Sequence, residues 1–141
     1  MNYDLPTLRD LLVRVEAATV PDRELDGRIW CLMGGLTFYR WDGAGVVWKV
    51  ADGTIRHSAS ERIPLFTTSI DATVALIERE LPDWAWSVAR AESQGSAAVW
   101  ATGSFDETLA RVPLSNTPPA LALIAAMLKA LVAREEQNEQ A

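Results

Sequence analysis

The sequence holds a single cysteine, Cys31, and a single histidine, His57. One cysteine excludes an intrachain disulfide and a cysteine-based zinc site, and one histidine excludes a histidine-rich metal centre. Long apolar runs are also lacking. The longest, Pro118 to Leu128, has 11 residues before Lys129 interrupts it, too short to cross a bilayer. The opening stretch MNYDLPTLRD has neither a basic n-region nor an apolar h-region, so no secretory signal is legible and a reduced cytoplasm is the expected location. Basic residues are scattered singly, 13 Lys and Arg against 19 Asp and Glu for a net charge of −6. That balance argues against a nucleic-acid polymer as partner, because such binders use a basic face to displace counterions from phosphate. No P-loop, dinucleotide fingerprint, nucleophile elbow or metalloprotease motif occurs, and no cofactor or metal ion is expected.

What is present is ordinary globular material. Apolar residues make up 49% and charged residues 23% of 141 residues, enough for one good core and one domain. That domain is expected over 1–134, with 135–141 a frayed polar tail. Leu5, Leu8, Leu12 and Val15 mark a first helix over Leu5 to Ala18. Thr19-Val20-Pro21-Asp22 fits a capping box opening a second, which buries Leu25, Ile29, Leu32 and Met33 and stops at Gly34-Gly35. The period then changes to two. LTFYRW and VVWKV flank the turn-rich Asp42 to Gly45 and predict a hairpin with Tyr39 opposite Trp48 and Trp41 opposite Val46. A third strand is expected from Thr54 to about His57. A third helix follows over TTSIDATVALIEREL, Thr67 to Leu81, with Thr68-Ser69-Ile70-Asp71 fitting a capping box and Ile70, Val74, Ile77 and Leu81 at helical spacing. WAWSVAR and SAAVWAT read as a second hairpin, residues 103–116 as a surface loop. Thr117-Pro118-Pro119 opens a last helix, with Thr117 as cap.

The expected order is ααβββαββα. An α+β fold follows: an α-β-α sandwich, an antiparallel-rich sheet of about five strands with helices on both faces. The last helix is apolar all round from Ala120 to Val132, which needs cover on more than one side and predicts a homo-oligomer if one sheet covers only one.

Three segments, PDRELDGRIW (Pro21 to Trp30), PLFTTSIDATVALIERELPDWAWSV (Pro64 to Val88) and NTPPALALIAAMLKAL (Asn116 to Leu131), resemble the phage ABA sandwich domain family. The resemblance implies an α-β-α layered fold and an accessory protein of bacteriophage or prophage origin working in the bacterial host cytoplasm. The family has no assigned reaction, so it supplies no catalytic residues.

The candidate ligand positions lie at two helix starts. Thr67, Thr68 and Ser69, and Ser115, Asn116 and Thr117, each offer hydroxyls and unpaired backbone N–H groups, a suitable seat for an anion if Arg90 or Arg111 stands nearby. The competing reading is capping alone, worth about 1 kcal/mol each. Asp22 and Asp26 share a helix face and could offer two carboxylates to Mg²⁺, but Glu24 can pair with Arg28 and the segment also fits a packing role. Six tryptophans read mainly as core. Trp41, beside Arg40 at a hairpin end, is the one expected to face a flat ligand. The expected function is a non-catalytic binding protein that engages a host protein or counteracts a host defence. Sequestration of a small nucleotide-like anion at the helix starts is the alternative. An enzyme is the third reading, with His57 or the Asp22–Asp26 pair as its only candidates.

Overall fold

An apolar helix must be wrapped, and the C-terminal helix of this chain is wrapped from both sides. In the computed structural model, which describes residues 3–92, 94–102 and 110–140, the elements run α1 (Leu5–Ala17), α2 (Arg23–Met33), β1 (Thr37–Trp41), β2 (Gly45–Lys49), β3 (Ile55–Ala59), a 3-10 turn (Ser60–Arg62), α3 (Ile70–Glu80), β4 (Trp84–Ala91), β5 (Gln94–Ala101), β6 (Arg111–Ser115) and α4 (Pro119–Gln140). The described chain is therefore α+β, with four α-helices and two three-stranded antiparallel sheets, β1-β2-β3 and β4-β5-β6.

One face of α4 lies on β4, β5 and β6, and its other side meets α1 and α3. Leu121, Leu123, Ile124, Met127, Leu128 and Leu131 are fully buried as a result, each contributing roughly 2 kcal/mol of apolar burial. The second helix, α2, packs on α1 and on the β1–β2 hairpin. Helices thus fill the middle and each sheet takes them on one face. This corrects the expected single sheet of about five strands with helices on both faces. An all-apolar helix needs a layer on each side, and here a sheet supplies one and helices the other. It also leaves α4 with no apolar surface over Ala120 to Leu131 for a second copy, so the reason given for an oligomer falls.

Two local expectations change. Residues 111–115, read as loop, form β6, paired with β5 through Ala97↔Val112 and Ala98↔Arg111; residues 103–109 lie outside the described residues. Helix α4 runs to Gln140, with Arg9 Nη2 3.0 Å from Glu136 Oε1; Ala141 lies outside the described residues. In the first hairpin Trp41 does face Val46, but Phe38, not Tyr39, faces Trp48, because a bulge between Phe38 and Arg40 shifts the register. The extra residue turns Tyr39 outward.

Capping shifts by one to three residues. Asp22, not Thr19, caps α2, accepting from the Glu24 and Leu25 N–H groups at 2.8 and 3.2 Å. Ser69, not Thr68, caps α3, accepting from Ala72 N–H at 3.1 Å. At the start of α4, Pro118 precedes the first helical residue and Thr117 stands outside. The turn after α2 is as expected: Gly35 has φ +72°, a backbone region open to glycine at no steric cost.

Candidate functional site

The two helix starts behave differently from one another. Thr67 is fully buried, its N–H donating to Asp26 Oδ1 at 2.7 Å and its Oγ1 accepting from Asp22 N–H at 2.9 Å. Asp26 is equally buried, and its other oxygen takes Arg23 Nη1 at 2.8 Å. Arg23 also donates to the carbonyls of Ser60 and Ile63 at 2.8 and 3.0 Å and stands over the Trp41 ring. Both Asp26 oxygens, both terminal nitrogens of Arg23 and the Thr67 N–H and hydroxyl are used within the chain, so the knot staples α2 to the 60–67 connector. Thr67 is therefore unavailable to a ligand. In the Asp22–Asp26 pair both Asp26 oxygens are taken within the chain, and Asp22 Oδ1 caps α2. Among the described residues no group of three or more His, Cys, Asp or Glu is placed to hold a metal ion. Thr68 is exposed beside this knot and Ser69 is the cap of α3.

At the other start, cross-strand pairing sets Arg90 opposite Gly95 and Gly95 opposite Ser115. Arg90 and Ser115 thus share one row of the sheet, next to the beginning of α4. Gly95 is required there, because a Cβ would stand 2.7 Å from Pro119 Cα and N and 2.8 Å from Thr117 O. The hydroxyls are occupied with each other: Ser115 Oγ donates to Thr117 Oγ1 at 3.1 Å, and Gln94 Nε2 donates to Asn116 Oδ1 at 3.3 Å. Arg111 pairs with Ala98, and its carbonyl accepts from Lys129 Nζ at 3.1 Å. The two starts are not joined into one anion pocket. Trp41 is not an open stacking platform either, since its ring lies against Gly27 of α2, 3.2 Å from where a Cβ would be.

His57 Nε2 lies 3.3 Å from Asp42 Oδ2 at the rim of the β1–β3 sheet. The Asp42 carboxyl is held below the usual carboxylate range, first by the Ala44 N–H and then by His57. Ser58 projects from the opposite face of its strand and accepts from Trp48 Nε1 at 3.0 Å. Among the described residues no serine hydroxyl is hydrogen-bonded to His57. Cys31 is buried, with its thiol pushed up to about 12 by that burial, which removes the thiolate a nucleophile needs.

Two features that sequence reading did not single out are more open. The first is the outer face of β1-β2-β3. The register places Thr37, Lys49 and Ile55 in one row and Arg40, Val47 and His57 in the next, with the bulged Tyr39 between them, its ring beside Lys49 and Arg40. Lys49 Nζ stands 4.7 Å from the Tyr39 ring centroid, and Tyr39 and Ile55 are 49% and 54% exposed. The signal for this was present: the alternate residues of YRW, VVWKV and TIRH place cations on one face once the bulge is allowed for. The second feature is a pair of clefts. One of about 450 Å³ lies between α1 and α2, where Asp10 pairs with Arg14, Arg28 with Glu24, and Asp4 accepts from Thr7. The other, of about 420 Å³, lies between the end of α2, residues 62–66 and α3. It is lined by Trp30, Met33, Phe66 and Leu76 and by two arginines, Arg62 and Arg79.

No family model, no curated protein and no solved structure matches this chain. Among the described residues no helix is long and apolar enough to cross a membrane.

Proposed function

We propose that the protein is a phage-type accessory protein that acts by binding, and that it grips an acidic host-protein surface with the outer face of the β1–β3 sheet. One observation carries this reading: in a chain of net charge −6, that face gathers Arg40, Lys49 and His57 around the exposed Tyr39 and Ile55. Tyrosine and arginine anchors ringed by charge are the composition of a protein-recognition patch, and complementary charge speeds and selects the encounter. Membership of the phage ABA sandwich family, a place in the bacterial cytoplasm and interference with a host defence belong to the same proposal, and rest on the three resembling segments.

A homo-oligomer also stays within the proposal, on new grounds. β4 is a sheet-edge strand of eight residues with an unbroken register to β5, no proline and one charge, Arg90. The opposite edge, β6, carries Pro113 and a register shift, and such devices blunt strand addition. A second copy could add along β4.

Native mass spectrometry of protein purified from a bacterial lysate tests both parts. The expected spectrum shows a dimer mass, plus a bound acidic protein that is absent from a Tyr39→Ala/Lys49→Glu variant and rebinds wild type when purified. An identical bound species in the variant overturns the outer-face reading.

A further inference from the structure

The cleft between α2 and α3 has a charge pattern that the interior network and the outer sheet face do not explain. Its floor is apolar: Met33, Phe66 and Leu76 are buried, and the half-buried Trp30 is braced edge-on by Trp48 with ring centroids 6.3 Å apart. Room is made by α3, which turns only Ala72 and Ala75 toward the opening before Leu76. No aspartate or glutamate lines it. Two arginines enter from different walls, Arg62 from the 3-10 turn and Arg79 from α3.

The two cations differ in how they are paired. Arg62 is exposed and makes no ion pair among the described residues. Arg79 pairs with Glu80 at 3.6 Å, a carboxylate that does not line the cleft, and the Arg79 side chain is 61% exposed. Guanidinium groups are planar forks suited to a carboxylate, and they hold charge at any ordinary pH. A cleft of about 420 Å³ falls within the size range of small-molecule sites, where an apolar lining with a few convergent polar groups is the usual composition.

We propose that this cleft binds a small aromatic carboxylate, the ring seated on Trp30, Met33, Phe66 and Leu76 and the carboxylate held by Arg62 and Arg79. The site is separate from the helix starts and from the outer sheet face, and does not depend on the function proposed above. Isothermal titration calorimetry of the full chain with 2-naphthoate, and with the neutral analogue 2-naphthalenemethanol, tests it. Naphthoate is expected to bind at one site with a Kd on the order of 0.1 mM, a reasonable strength for a ligand of that size. An Arg62→Ala/Arg79→Ala variant weakens naphthoate by about tenfold or more and leaves the alcohol unchanged, since only the carboxylate contact is lost. Ala75→Trp, at an exposed position on α3, fills the opening and removes both ligands while the circular dichroism spectrum stays that of wild type. Absence of saturable naphthoate binding up to about 5 mM overturns the proposal. So does naphthoate binding at wild-type strength in the arginine variant, or binding of either ligand to Ala75→Trp.

Discussion

Removing the Asp26 carboxylate should cost this protein a large part of its stability, and the amount follows from its burial and two contacts. Asp26 is fully buried, accepts from the Thr67 N–H at 2.7 Å and takes Arg23 Nη1 at 2.8 Å. In Asp26→Ala the Thr67 N–H loses its acceptor in a buried place, a desolvation cost of about 1–3 kcal/mol. The Arg23 side chain is 32% exposed and keeps the carbonyls of Ser60 and Ile63, so solvent and those bonds soften its loss to about 1 kcal/mol. The small cavity adds to this, for a total of about 3 kcal/mol. In a domain this size that lowers Tm by roughly 10 °C. Urea unfolding followed by tryptophan fluorescence reads the change in midpoint and tests for an unchanged slope. Asp26→Asn should lose less, about 2 kcal/mol, because the amide oxygen can still accept from Thr67 while its NH₂ opposes the guanidinium. A loss below about 1 kcal/mol for Asp26→Ala would refute the reasoning, since the network would then be ornamental to folding. Equal losses for Ala and Asn would show that charge alone matters.

Two further outcomes are expected. Gly95→Ala places a Cβ 2.7 Å from the Pro119 backbone, which cannot rotate away as a side chain would, so α4 must shift; a destabilisation of about 3 kcal/mol in urea unfolding is expected, and a neutral variant would contradict the close approach. Cys31, with its thiol raised to about 12 by burial, should react with a disulfide reagent at pH 8 at least a hundredfold more slowly in the folded chain than in 6 M urea; stoichiometric reaction of the folded protein within a minute would show the α2 interior to be open.

Much of the local structure was legible because it is written in short-range pattern. Ile70, Ile77 and Leu81 recur at helical spacing, and α3 forms there. The glycines after Met33 end α2 because only a left-handed turn follows. The site positions were less legible. A Thr at a helix start looks the same in sequence whether it faces water or, as Thr67 does, a buried aspartate 41 residues away. Asp26 itself reads as one member of an acidic pair in a surface segment. Its burial depends on Arg23 reaching the connector at 60–64, a contact with no local signature. The β6 strand was missed for a related reason. RVPLS has five residues and a proline, and it becomes a strand only because β5 offers an edge beside it.

By itself the sequence determined the helices, the first hairpin's turn, the lone inert cysteine and the need to wrap an apolar C-terminal helix, because periodicity, backbone-restricted residues and hydrophobicity act over a few residues. Tertiary structure decided which surfaces do the wrapping. It set two small sheets around the helices, placed Thr67 and Asp26 inside, turned Tyr39 and Lys49 outward through a one-residue bulge, and brought Arg62 and Arg79 to the same cleft. Those outcomes depend on pairings between distant segments, whose free energies are collective and leave no mark in any single stretch of chain.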